Sequence, residues 1–251
     1  MLSALLLVVL TMPFSTSAKP IINVGGYEFS PYVTQENDGH FSGLTIDLIA
    51  ALNQVQNEVE FNFVPTSIEQ RTSAYSINRF DLMLFESPQW GWQTFPHEFI
   101  PLNVDDGEVF IALKSTAKSQ QFFKSIKNKT LSLVRGYHYQ FAALNPDASA
   151  LEKDFRVQFV NSNHASIESI LLKRAQVAPV TWSYLQHYYL EFPDAKTKLL
   201  VSNFRDQQYQ HGVILNPQSK VSRQQLSKWL KRIKQKGMFE RLLNAYQLTS
   251  R

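Results

Sequence analysis

Short apolar runs suited to buried strands alternate with amphipathic segments along nearly the whole chain, and that alternation leaves few folds open. Residues 80–85, FDLMLF, are apolar but for Asp81, as in a strand covered on both faces. Strands are also expected at 21–24, 58–64, 109–113, 131–134, 155–160, 177–181 and 213–215. Pro179 confines the 177–181 strand to a place where no ladder N–H is needed. Between them, helical patterns cover 44–52, 67–78 (with Ile68, Ala74 and Ile77 as its apolar positions) and 139–144. A further helix is expected from a cap at Asn161 or Ser162 to about residue 174. The last two cover 223–236 and 239–246, separated by Gly237. Such alternation argues for an α/β fold with largely parallel sheets, and the length suits one large domain or two lobes.

The chain opens on an apolar stretch, residues 2–10 (LSALLLVVL), well short of the ~20 residues a membrane span needs. Thr16-Ser17-Ala18 follows, with small residues where a signal peptidase requires them. Residues 1–18 therefore read as a cleavable signal peptide, with the mature chain starting at Lys19. No Lys or Arg precedes the apolar core, so either the true start lies upstream or the α-amino group supplies the only positive charge.

With no Cys, the chain has no disulfide, thiolate metal site or cysteine nucleophile. It also lacks the Cys that a lipid anchor at the cleavage point requires, so the expected compartment is the periplasm. The six His show no metal-ligand spacing, and no metal or other cofactor is expected. The net charge of +4 comes mostly from Lys228, Lys231, Arg232, Lys234 and Lys236, read as the solvated face of a helix rather than a nucleic-acid surface. Asp47, in the first helix, reads as structural.

Residues 24–52, VGGYEFSPYVTQENDGHFSGLTIDLIAAL, combine a strand end, an aromatic loop Phe29-Ser30-Pro31-Tyr32, a polar hairpin at Asn37-Asp38-Gly39, Gly43 and an amphipathic helix. This opening resembles that of the bacterial extracellular solute-binding proteins of the amino-acid type (family 3). Residues 107–114 (GEVFIALK) and 207–215 (QQYQHGVIL) look like that family's two crossovers between lobes. Residues 127–139 (KNKTLSLVRGYHY) are similar to its Lys-rich turn, strand and glycine-led helix start. Residues 226–246, with Trp229, Leu230, Gly237, Met238 and Tyr246, match its closing helices. The resemblance implies a two-lobed periplasmic-binding-protein fold of type II with two crossover strands, closing on a solute. The first lobe would comprise 19–107 plus 207–251, and the second 108–206.

Ligands of open α/β sheets lie beyond the carboxyl ends of strands. The candidate ligand-binding residues are therefore Tyr27 and Phe29 after the first strand, then Glu86, Ser87, Trp90 and Trp92 after FDLMLF. From the second lobe come Arg135, Tyr137 and His138, then Asn161 with Asn163, then Thr181 and Trp182. The resemblance further implies an Arg in a Thr-Pro-Glu-Arg-like turn that grips an α-carboxylate. Here the turn reads Ser87-Pro88-Gln89-Trp90, a shifted gap gives Gln93, and no Arg occurs between Arg79 and Arg135. Gly26 and Thr181 stand where the resemblance implies acidic partners for the α-ammonium. A bidentate Arg–carboxylate pair is among the strongest contacts available at neutral pH, so its loss argues against a conventionally bound zwitterion. The remaining aromatic faces suit a planar, cyclic or cationic ligand.

The expected function is periplasmic capture of a small organic solute for an ABC-type importer. The alternatives are a binding module that reports to a membrane sensor or has no transporter, and a small dehydratase-like enzyme on the same scaffold. For the last, Glu86 and His138 are the only acid/base candidates. The expected partners are a small-molecule ligand and either an ABC permease or a membrane sensor, with no nucleic acid, and the chain is expected to be a monomer.

Overall fold

The computed structural model describes residues 18–248; the leader and its cleavage region thus lie, but for Ala18, outside the described residues. β1 (Ile21–Gly26) pairs in parallel with β4 (Glu60–Pro65) and β5 (Leu82–Glu86). The short hairpin β2 (Thr34–Gln35) and β3 (Phe41–Ser42) turns at Gly39, as expected. β6 (Glu98–Leu113) and β10 (Leu199–Leu215) then pair antiparallel along their whole length. At ~3.3 Å per residue each spans roughly 50 Å, long enough to run through both lobes. They are the two crossover strands, and far longer than the apolar runs 109–113 and 213–215 indicated. The polar residues between, such as Asp105, Asp106, Gln207 and Gln208, hide the strand from a reading based on periodicity.

The large sheet has the order β4-β1-β5-β10-β6-β9. Its edge strand β9 (Ala178–Thr181) carries Pro179, where a missing N–H costs no ladder bond. In the second lobe β7 (Thr130–Val134) pairs in parallel with β8 (Arg156–Val160), and Ser132 N–H donates to the Val177 carbonyl at 3.0 Å, tying β7 to the start of β9.

α1 (Leu44–Val55) buries Leu44, Leu48, Leu52 and Val55 against the first-lobe sheet. α7 (Arg223–Gln235) and α8 (Met238–Ala245) complete that core with Trp229, Ile233, Phe239 and Leu243. Ser222 and Gln225 form a reciprocal cap at the start of α7. Two members of the basic face do more than meet solvent. Arg232 Nη1 donates to the Val55 carbonyl at the end of α1 (2.6 Å), and Lys234 Nζ donates to the Leu102 carbonyl (3.0 Å). Asp47 accepts from the Tyr246 hydroxyl at 2.8 Å, a structural role.

Three helical expectations are corrected. α2 runs only Arg71–Ser76, and Ile77 is exposed, because Ser67–Gln70 forms a turn and Asn78 adopts a left-handed conformation. The segment 139–144 forms a single 3-10 turn, Gln140–Ala142, ended by left-handed Ala143 and Leu144. The helix after β8, α4 (Asn163–Leu171), is capped by Ser162 and stops short of residue 174, with Lys173 at positive φ. α3 (Ala148–Asp154), α5 (Trp182–Glu191) and α6 (Pro193–Lys198) carry too little apolar periodicity to be read from the sequence. α5, with α4 and β9, encloses a second core of Ile167, Ile170, Val180, Leu185 and Tyr188.

Candidate functional site: the cleft between the lobes

β6 and β10 cross between the lobes at Gly107, where a Cβ would stand 2.2 Å from the Gln207 carbonyl oxygen. Only glycine lets the two backbones approach this closely. Around this crossing lies a small inner cavity of about 20 Å³, room for roughly one water molecule. Phe29 is its keystone. Its ring lies edge-to-face with Trp90 (5.8 Å, 84°) and with Tyr137 (5.8 Å, 87°), and stacks on Tyr27 at 6.0 Å. His138 closes one side, with Nε2 3.3 Å from where a Cβ on Gly91 would stand. Gln207 joins the lobes: its side-chain N–H donates to the His138 carbonyl, and its Oε1 accepts from Trp90 Nε1 at 3.5 Å.

An outer cavity of about 320 Å³ opens beside it and shares Tyr27, Ile68 and Tyr137 as walls. Arg135 and Asn161 line this outer space, together with Glu28 and Glu69. Arg135 lays its guanidinium over the Phe159 ring at 4.4 Å. Asn163 lines a third, small cavity, which also borders Tyr137 and Glu28.

The other candidates stand elsewhere. Trp92 is fully buried behind the site, against Tyr75, and donates to Glu86 Oε2 at 2.7 Å. Glu86 and Ser87 are buried and line neither of the two cleft cavities. Thr181 is held by Asn163, whose Nδ2 donates to its hydroxyl at 3.0 Å. Trp182 lies at the surface, 37% exposed, near Arg205. These five aim into the protein or outward because a strand alternates its faces and a helix start turns the chain, so not every residue after a strand faces the cleft.

Two charged residues that the sequence reading passed over reach the inner cavity. Arg71, from the first turn of α2, is 4% exposed. It donates from Nη2 to the Trp90 carbonyl at 2.6 Å and from Nη1 to that of Ile68, and its Nε stands 3.8 Å from Glu86 Oε2. An arginine thus reaches the very turn where one was missed, but from α2. Glu108, on β6, is 2% exposed. Its Oε1 accepts from the Tyr209 hydroxyl at 2.9 Å, and its Oε2 has no hydrogen-bond partner. A signal existed: Asp105 and Asp106 precede the crossover glycine, Gly107, and Glu108 follows it.

The electrostatics follow from burial. Burial raises the Glu86 carboxyl above its usual range, opposed by Arg71 and by hydrogen bonds from Trp92 and Tyr27. Burial, reinforced by the charge of Asp106, pushes Glu108 well up. Burial and the nearby guanidinium of Arg71 hold His138 down at about 3, so its ring is neutral at ordinary pH. Asp106 goes the other way. Burial alone would raise it, but His211 and the hydrogen bonds from Ser183 and Tyr32 outweigh that and lower it. That carboxylate accepts from the Tyr32 hydroxyl (2.8 Å), the Ser183 hydroxyl (2.5 Å) and the Ser183 N–H (3.2 Å), joining the first-strand loop to the start of α5. His211 lies fully buried among Phe29, Tyr32, Phe85, Trp90 and Tyr209, its Nε2 4.0 Å from Asp106. Phe85, at φ 57, turns the chain just before Glu86, a conformation costly for an aromatic residue.

Two lobes, two long crossover strands and a cleft where they cross define the type II periplasmic-binding-protein fold. Solved structures with this fold match over nearly the whole chain. A histidine kinase sensor domain with similarity to periplasmic binding proteins superposes with a TM-score of 0.72 at 15% identity, over 92% of this chain and 98% of its own. A proposed ABC-transporter binding component from Wolinella succinogenes, complexed with lysine, gives 0.71 at 16% identity, over 91% and 96%. An ancestral amino-acid-binding protein, precursor of cyclohexadienyl dehydratase, gives 0.68 at 18% identity, over 90% and 95%. At these identities the likeness establishes the fold. No protein-family model and no curated protein sequence matches the chain.

Proposed function

We propose that the protein is a divergent periplasmic solute-binding protein of the amino-acid type, which captures a small organic solute between its lobes and presents it to a membrane partner. The observation that carries this reading is the cleft itself. Two adjoining cavities lie at the crossing of β6 and β10, walled by aromatic rings from both lobes, with a buried carboxyl oxygen left without a partner. Aromatic walls with a few convergent polar groups are what small-molecule sites use. The inner cavity is too small for a whole solute, so binding requires the lobes to part and close again. The lobes of this reading are 19–107 plus 207–251 and 108–206, hinged near Gly107 and Gln207. A soluble monomer, secreted after cleavage behind Ala18, fits the leader, and mass analysis of the secreted product should give Lys19 as the first residue.

The partner in this reading is an ABC permease. A membrane sensor is the second reading, favoured by the match to a kinase sensor domain. Catalysis by the two acid/base candidates read from the sequence is disfavoured by their state: Glu86 is committed to Trp92 and Arg71, and His138 is too weak a base to take a proton near neutrality. Native mass spectrometry of gently purified protein, followed by small-angle scattering with and without the molecule found, tests the function. A co-purifying solute that compacts the protein supports it. A chain that carries no solute, and whose radius no solute changes, refutes it.

A further inference from the structure

Three buried carboxyls converge on the inner end of the cleft, and only one guanidinium answers them. Arg71 stands beside Glu86. Asp106 is satisfied by the hydroxyls of Tyr32 and Ser183. Glu108 has no cation of its own: its carboxyl meets the Tyr209 hydroxyl and the Gln207 side chain, its buried Oε2 makes no hydrogen bond, and the residue lines a cavity the size of one water molecule. Buried polar atoms in folded proteins nearly always have partners, so an unpartnered one facing a cavity marks the place for a donor.

The other walls favour a positively charged donor. Phe29, Trp90 and Tyr137 all line the space, with Phe29 edge-to-face to the other two, so aromatic rings in more than one orientation surround it, the kind of wall that attracts ammonium groups by cation–π interaction. The same geometry disfavours a carboxylate. Arg71 already donates one N–H of each terminal nitrogen to the carbonyls of Trp90 and Ile68, and its Nε stands 3.8 Å from Glu86 Oε2, so the guanidinium is anchored to the protein and its charge is shared with a buried carboxyl before any ligand carboxylate arrives. The adjoining outer cavity carries Glu28 and Glu69 against Arg135 alone.

Resting on the solute-binding reading above, we propose that the ligand is a primary organic amine without an α-carboxylate, its ammonium head seated against Glu108 and its organic remainder in the outer cavity. An ammonium head is close to water in size and fits the inner space, and an alkyl chain leaves past Tyr27, Ile68 and Tyr137, the walls the two cavities share.

Calorimetry on the mature chain with four probes tests this: pentylamine, 1,5-diaminopentane, 1-pentanol and lysine. Pentylamine and the diamine should bind, with the isosteric alcohol weaker by about 30-fold or more. Lysine, which is the diamine plus a carboxylate, should bind more weakly than the diamine. Glu108→Gln should cost the amines a similar factor. Should that variant fail to fold, the amine-to-alcohol ratio on the unaltered chain still decides. Equal binding of amine and alcohol overturns the proposal. If lysine or another carboxylate-bearing solute binds and compacts the protein while the amines do not, the ligand class falls and the solute-binding reading stands. If the amines do not bind and no solute of any class changes the scattering radius, both fall.

Discussion

Replacing Arg71 with Met tests whether the cleft floor rests on a buried ion pair. The guanidinium is 4% exposed, bonds two backbone carbonyls and is the one cation beside Glu86 among the described residues of the inner site. Its removal strands a carboxyl that is 1% exposed, with only the Trp92 and Tyr27 side chains to satisfy it. Breaking one side of a buried pair costs about 3–5 kcal/mol, and the proton that Glu86 then takes up limits the loss to that range. Methionine replaces most of the volume, so little of the cost is a cavity. Adding Glu86→Gln removes the stranded charge and keeps an acceptor for the Trp92 N–H, and the double variant should recover about 1–3 kcal/mol relative to Arg71→Met. Urea unfolding at pH 7, read as midpoints at constant slope, measures both. Arg71→Met within about 1 kcal/mol of the parent, or a double variant no more stable than the single, would show that the pair does not hold the floor together.

Asp106→Ala should destabilise by at least about 3 kcal/mol, because it orphans the buried Tyr32 hydroxyl and both Ser183 donors; urea unfolding beside Tyr32→Phe measures it, and a small loss would remove this clasp from the account. Gly136→Ala should cost more than about 1 kcal/mol and open the cleft, since residue 136 sits at φ 81 and its Cβ would stand 3.0 Å from Ile68 Cγ2 across the lobes. Thermal unfolding and small-angle scattering check the two effects separately. Burial pushes Asp206 up from 3.8 to about 6, against hydrogen bonds from the Gln140 and Phe141 N–H groups. The folded chain therefore holds the proton where the unfolded chain has lost it, so stability falls as pH rises from about 4 to 6, by at most about 3 kcal/mol. Asp206→Asn should abolish that part of the pH dependence, and an unchanged profile would contradict it.

The alternation of apolar runs with amphipathic segments determined the α/β class, and the order of its motifs determined the type II fold, because burial patterns are written locally, one residue after another. FDLMLF became a central strand, Pro179 fell on a sheet edge, and residues 44–52 and 223–236 became helices close to their expected bounds. The aromatic and polar residues of the cleft wall were legible too: Tyr27, Phe29, Trp90, Tyr137 and His138 follow strands and meet around one cavity. Tertiary structure alone decided the charges. Neither Arg71 nor Glu108 stands out in the sequence as a site residue. Each is buried because α2 and β6 bring it beneath the rings of other elements. Trp92 and Trp182 follow strands equally well, yet one packs into the core and the other faces solvent. Which side of a strand end faces a cleft, and which ionised groups share it, depends on lobes joined by residues more than a hundred positions apart, such as Glu108 and Tyr209. No local pattern encodes that distance.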